Sequence, residues 1–164
     1  MIEIRNHILF IDGKQVDFRQ SPNVGGVITP KYLIMHYTAA KTASSAISWM
    51  LSKAAEVSAH LHIGRDGSVV QLVKFNVKAW HAGASSWEGL TGLNSYSIGI
   101  ELQNDSTQDY TPIQLEVSGN IAKALVNKYA LKDILGHSDI APGRKVDPGP
   151  KFPMALFKSA ALCK

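Results

Sequence analysis

Three side chains of metal-binding type stand at separate points of the chain: His36, His137 and Asp147. Two imidazoles and one carboxylate, with a fourth position left for water, make the ligand set of a catalytic zinc site. No compact motif of the HExxH kind joins them, so a fold would have to bring them together. His137 and Asp147 share the stretch GHSDIAPGRKVDPGP, residues 136–150, which also carries Asp139, Arg144 and Lys145. Its prolines limit the freedom of the backbone, so less entropy is lost in fixing Asp147 near His137. Read alone, the same stretch is also compatible with a turn-rich surface connection carrying incidental charges.

The elements that must position these residues follow from periodicity. YLIMHYT, residues 32–38, is an apolar, β-rich run ending in polar residues, the pattern of a buried strand whose tip, with His36, faces a cleft. Ala43, Ala46, Ile47, Met50, Leu51 and Ala54 then follow helical spacing, with Thr42 or Ser44 available as N-cap. SAHLHIGRDGSVVQLV, residues 58–73, reads as a hairpin around Arg-Asp-Gly. SIGIELQ, residues 97–103, alternates Ile98, Ile100 and Leu102 with Gly99, Glu101 and Gln103, which predicts a half-buried strand with Glu101 on its polar face. A helix begins at Thr111-Pro112 and is predicted to bury Ile113, Val117, Ile121, Ala124 and Leu125. DILGH, residues 133–137, reads as a short strand delivering His137, and MALFKSAAL as a last helix. Upstream, residues 8–11 and 16–18 flank a DGK turn and predict a small hairpin. The expected fold class is α/β, a mixed central β-sheet flanked by α-helices, in a single domain over residues 1–164.

Composition excludes several classes. No run of about 18 apolar residues is present to span a bilayer. Cys163 is the one cysteine, so no internal disulfide is possible. The formal net charge is +4 and the pI about 9.2, which suits an acidic partner, but the basic residues are scattered and no nucleic-acid motif accompanies them. Glu3, Arg5, Asn6 and His7 interrupt any signal-peptide core, so a cytoplasmic location is expected, with delivery to a cell wall by a holin or a specialised secretion system as the other routes.

The blocks LIMHYTA, AHLHIGRDG, AWHAG followed by SxW, NSYSIGIEL and GHSDIAPGRKVDPGP, in this order, resemble the zinc-dependent N-acetylmuramoyl-L-alanine amidases of the AmpD type. That group is related to peptidoglycan-recognition proteins and T7-type lysozyme. The resemblance covers residues 30–158, leaving 1–29 as an N-terminal embellishment. It implies Zn²⁺ bound by His36, His137 and Asp147, with Glu101 and Lys145 at the catalytic positions. Hydrolysis of the amide between N-acetylmuramic acid and L-alanine, in peptidoglycan or muropeptides, is the implied reaction. Trp80, His81 and Asn94 match positions near the cleft, where they would seat a sugar or peptide stem, and Arg144 would pair with a peptide carboxylate.

Ala59 and Asp147 stand where T7-type lysozymes place a tyrosine and a cysteine, so the AmpD-like arrangement is the closer one. His60 reads as a structural or supporting histidine and His62 as exposed or packed in the hairpin. The partner expected is peptidoglycan or a muropeptide, bound by a monomer without nucleic acid or membrane insertion. The rival readings are a non-catalytic peptidoglycan-binding module and a nucleic-acid-binding protein.

Overall fold

The computed structural model of the protein describes residues 1–163. Strands β1 (Ile2–Arg5), β2 (Ile8–Ile11) and β3 (Lys14–Gln15) form an antiparallel meander. β4 (Asp17–Phe18) leaves it, and β5 (Val24–Val27) precedes β6 (Tyr32–Tyr37) and helix α1 (Ala43–Leu51). β7 (Leu61–Ile63), β8 (Val69–Gln71) and β9 (Val77–Ala79) follow, then the two-residue strands β10 (Ser86–Trp87) and β11 (Leu90–Thr91). β12 (Ser97–Leu102), α2 (Pro112–Tyr129), β13 (Asp133–Gly136), α3 (His137–Ile140) and α4 (Met154–Leu162) complete the chain.

The main sheet has six strands in the order β13-β6-β12-β7-β8-β4. β13, β6, β12 and β7 run parallel, and β8 turns antiparallel to β7. The expected mixed sheet flanked by helices is therefore present. The turn between β7 and β8 takes Gly67 to φ +83°, a conformation that a side chain would strain.

One face of β6, β12 and β7 carries Leu33, Met35, Ile98, Ile100, Leu102, Leu61 and Ile63, all fully buried against Ile121, Ala122 and Leu125 of α2 and Phe157 and Ala161 of α4. Complete burial of one such aliphatic side chain contributes about 1.5–3 kcal/mol. Tyr32 and Ile34 on the other face pack with Ala82, Leu93, Leu135 and Ile140. Towards β8 the same face carries Val70 and Leu72, covered by Ile47 and Met50 of α1.

Helices α1 and α2 start on threonine caps. Thr42 Oγ1 accepts from the Ser45 amide at 3.1 Å, and Thr111 Oγ1 accepts from the Gln114 amide at 3.2 Å.

The structure corrects three expectations. The second arm of the N-terminal hairpin is Lys14–Gln15, whereas Asp17–Phe18 crosses to the edge of the main sheet beside β8. Ala54 lies beyond the end of α1, in a short 3₁₀ turn. The buried face of α2 is Gln114, Ser118, Ile121, Ala122 and Leu125, and Ile113 is 44% exposed. Gln114 is tolerated there because its Nε2 donates to the carbonyls of Ile63 and Gln103 at 3.1 and 3.0 Å, which offsets part of the cost of burying the amide, whose Oε1 has no partner among the described residues.

Candidate metal centre and its cleft

His36 is the last buried residue of strand β6, and His137 follows directly on the neighbouring β13 as the first residue of α3. Asp147 returns at the end of the proline-rich loop. Three contacts shape that loop: the Ser138 amide donates to the Asp147 carbonyl at 3.0 Å, Asp139 Oδ2 accepts from the Gly136 amide at 2.7 Å, and the Tyr110 hydroxyl donates to the Pro148 carbonyl at 2.7 Å. Asp139 thus serves its own turn.

The result is a triangle. His36 Nδ1 lies 3.0 Å from His137 Nδ1 and 3.0 Å from Asp147 Oδ2, and His137 Nδ1 lies 3.3 Å from the same oxygen. All three residues are buried. Tetrahedral ligands about 2.0–2.1 Å from a central ion are about 3.3 Å apart, so the triangle has the edge lengths of one face of such a site.

Proton positions around the triangle follow from its hydrogen bonds. The Ser97 hydroxyl donates to the Leu93 carbonyl at 2.6 Å, so its oxygen accepts from His81 Nε2 at 3.3 Å. His81 Nδ1 is then an acceptor, and His36 Nε2 donates to it at 2.9 Å. On the other side His137 Nε2 donates to the Ala82 carbonyl at 2.9 Å. Both imidazoles therefore aim an Nδ1 lone pair at the Asp147 carboxylate. Lone pairs packed this closely repel unless a proton or a metal cation sits among them. Burial disfavours a proton on His36, although Asp147 opposes that effect. The donor set and its spacing fit a bound metal ion.

Burial would raise the Asp147 carboxyl, but the hydrogen bonds and charges of His137 and His36 outweigh it and hold Asp147 below the usual carboxylate range. Glu101 behaves in the opposite way. Burial, and then repulsion from Asp147, pushes its carboxyl well above its ordinary value, and Lys145 only partly compensates. The residue as a whole is half-buried, yet Oε2 is sealed from solvent with no hydrogen-bond partner among the described residues. Glu101, which the alternating pattern sets on the polar face of its strand, therefore faces a cleft between elements.

The cleft has a volume of about 610 Å³ and is lined by the triangle, Glu101 and Lys145, with Trp49, Trp80 and Val146 among its walls. Trp49 and Val146 are 60% and 71% exposed. Trp80 is half-buried and also borders a neighbouring cavity of about 440 Å³ with Lys78, Asn94 and Arg144. Arg144 is exposed and donates through Nη2 to the carbonyls of Ala82 and Ala84 at 2.7 and 2.8 Å, which ties the 82–84 loop to the metal loop. Asn94 Oδ1 accepts from the amides of His81 and Ala82 at 3.0 and 2.7 Å.

His81 uses both ring nitrogens on protein groups and sets the orientation of His36. A Cβ at Gly99 would lie 2.5 Å from the His81 ring, so the glycine of SIGIEL is what lets this ring lie against β12. His60 is fully buried and satisfied, accepting at Nδ1 from the Gly99 amide at 3.0 Å and pairing through Nε2 with the Val77 carbonyl at 2.8 Å. His62 is 1% exposed, which removes the exposed alternative of the sequence reading. Nothing in the local sequence pattern marks Trp49 and Val146 as cleft residues. Their exposure is the signal, and it exists only in the folded chain.

The N-acetylmuramoyl-L-alanine amidase family (Amidase_2) matches residues 27–150. The 1,6-anhydro-N-acetylmuramyl-L-alanine amidase AmpD of Escherichia coli K12 is 47% identical over 104 residues, covering 62% of this chain and 57% of that protein. The chain thus spans little more than half the length of this curated relative. A crystal structure of selenomethionine AmpD aligns with TM-score 0.82 and 30% identity over 97% of this chain and 99% of that one. The E. coli amidase AmiD, solved with anhydro-N-acetylmuramic acid-L-Ala-D-γ-Glu-L-Lys as substrate, aligns with TM-score 0.73 and 34% identity over 93% of this chain and 65% of that one. The sheet, the buried His/His/Asp triangle and the family match together show that this chain belongs to the N-acetylmuramoyl-L-alanine amidases of amidase family 2.

Proposed function

We propose that the protein is a zinc-dependent amidase that hydrolyses the bond between N-acetylmuramic acid and L-alanine in peptidoglycan or soluble muropeptides. The observation that carries this reading is the convergence of His36 Nδ1, His137 Nδ1 and Asp147 Oδ2 within 3.3 Å of one another, in a cleft shared with Glu101. The substrate seen on AmiD supports a muropeptide as ligand. On this reading residues 30–158 form the amidase unit with 1–29 built onto it, and the protein works as a monomer.

His36, His137 and Asp147 would hold zinc, which when bound would supply a water of lowered pKa and a positive charge beside the scissile carbonyl. The Glu101 carboxylate accepts a proton from the attacking water as the new C–O bond forms. It returns that proton to the nitrogen of L-alanine as the C–N bond breaks, acting as base and then acid. Its sealed surroundings, which raise its affinity for the proton, suit that exchange. Lys145, on the same cleft, sets its ammonium against the negative charge developing on the carbonyl oxygen. Trp80, with Arg144 and Asn94 at the adjoining cavity, borders the substrate path. His81 acts through His36.

Purified protein incubated with intact sacculi, and separately with anhydromuropeptides, should release free stem peptide that a chelator suppresses and added zinc restores. Preference between the two substrates separates recycling in the cytoplasm from action on the wall. Glu101→Gln should lower turnover by about 10²–10⁴-fold with the metal retained. Full activity in that variant would remove Glu101 from the mechanism, and binding of sacculi without cleavage would leave a recognition module.

A further inference from the structure

Parallel pairing sets residues of neighbouring strands level, with side chains on the same face. At one level of the main sheet the row reads Val70, His62, Glu101, His36 across β8, β7, β12 and β6. His36 turns to the metal triangle and Glu101 lines the cleft. His62 is the member of this row that carries chemistry the proposed reaction does not use.

Two observations single it out. His62 is 1% exposed, and its Nε2 has no hydrogen-bond partner among the described residues. One strand away, Glu101 Oε2 is equally sealed and equally unpartnered. Buried polar atoms are almost always paired, and an orphaned one needs an explanation. Here a potential donor and a potential acceptor are orphaned on register partners. Neighbouring strands lie about 4.8 Å apart, so side-chain rotation alone is enough to join them.

A packing role does not account for His62. On the same face lie Val70 and Leu72, with Ile47 and Met50 of α1 over them, and α1 itself (ASSAISWML) bears no titratable group. A leucine would suit such surroundings better than an unpaired imidazole. His60, on the same face two residues earlier, shows how this fold buries a structural histidine: both of its nitrogens are used.

We propose that His62 is a positioning residue for Glu101, its neutral imidazole donating from Nε2 to Glu101 Oε2 so that the other carboxylate oxygen is held toward the cleft. The inference rests on the reading of Glu101 as the group that handles the proton. It fixes the rotamer of a side chain that otherwise has no anchor at its carboxylate.

The test uses the full chain loaded with zinc. Long-range ¹⁵N–¹H spectra of the histidine rings should show His62 protonated at Nε2, and Glu101→Gln should move that signal while leaving His60 in place. An unmoved His62 signal overturns the proposal, and this arm involves no change at His62 itself. In kinetics, His62→Leu should lower kcat by about tenfold or more, the worth of a hydrogen bond to a charged group, with KM and bound zinc little changed. His62→Gln, whose side-chain N–H reaches a similar point, should recover most of that loss. Undiminished kcat in His62→Leu, or equal losses in both variants, overturns the proposal. Should the zinc-loaded protein cleave no substrate while Glu101→Gln still shifts His62, the amidase reading fails and the pairing stands. Cleavage without that coupling has the reverse meaning.

Discussion

One face of β6, β12 and β7 is wholly apolar, and the other mixes apolar with titratable side chains. On one, Leu33, Met35, Ile98, Ile100, Leu102, Leu61 and Ile63 are fully buried under α2 and α4. On the other, beside the apolar Tyr32 and Ile34, the same strands carry the buried His36 and His62 and the half-buried Glu101, with His60 just ahead of β7. Apolar burial stabilises the fold without demanding directional partners, whereas each buried polar group must find one. The polar face meets that demand at His36, His60 and His81 and leaves it unmet at His62 and Glu101. The difference teaches that stability and chemistry are assigned to opposite sides of one set of strands, through the alternation of side chains.

Substitutions can break this division deliberately. The largest effect is expected from Asp147→Ala on the polar face, which removes one of three protein ligands. Activity should be lost and zinc should no longer copurify, as metal analysis would show, while the thermal transition of the metal-free protein persists. Ile100→Ala on the apolar face should do the reverse. Chemical denaturation should register a loss of about 2–5 kcal/mol, with zinc still bound by the folded fraction.

Acid provides a third probe. Burial holds the His60 imidazole down to about 4, although its bond to the Val77 carbonyl opposes the shift. The unfolded chain therefore binds more protons than the folded one between about pH 6.5 and pH 4. His60 leaves stability intact above that window and removes on the order of 3 kcal/mol as pH falls through it. Urea midpoints of chelator-treated protein at pH 7 and pH 4.5 should differ accordingly, and His60→Leu should flatten the dependence. The smallest effect belongs to His81→Phe, which keeps a ring over Gly99 but no longer accepts from His36. Zinc affinity should fall about 10–100-fold in a competition titration with a chelating dye, while the fold is retained. An unchanged affinity would mean that His36 needs no such support.

How much was legible beforehand depended on whether local pattern or distant pairing decided the matter. The strands at 32–38 and 97–103 announce themselves by apolar β-rich runs, and Thr42, Thr111 and Pro112 mark where helices begin. Residues 136–150 were readable because composition constrains their own backbone. The face of α2 departs from its periodicity because the Gln114 amide is paired with the carbonyls of Ile63 and Gln103, a compensation that periodicity cannot show. Asp17–Phe18 was assigned to the hairpin because its true partner, β8, lies more than fifty residues downstream.

The polar atoms of the cleft divide in the same way. Residue type alone offered a metal-binding set, two imidazoles and a carboxylate, and the ordered blocks pointed to the family. Tertiary structure decided that His81 stands behind His36, that Gly99 must lack a Cβ for that ring, and that His62 lies level with Glu101. Strand register and ring packing are long-range properties, set by which segments meet across the sheet. A linear sequence records the side chains available for those meetings, and only the folded chain determines which of their polar atoms find partners.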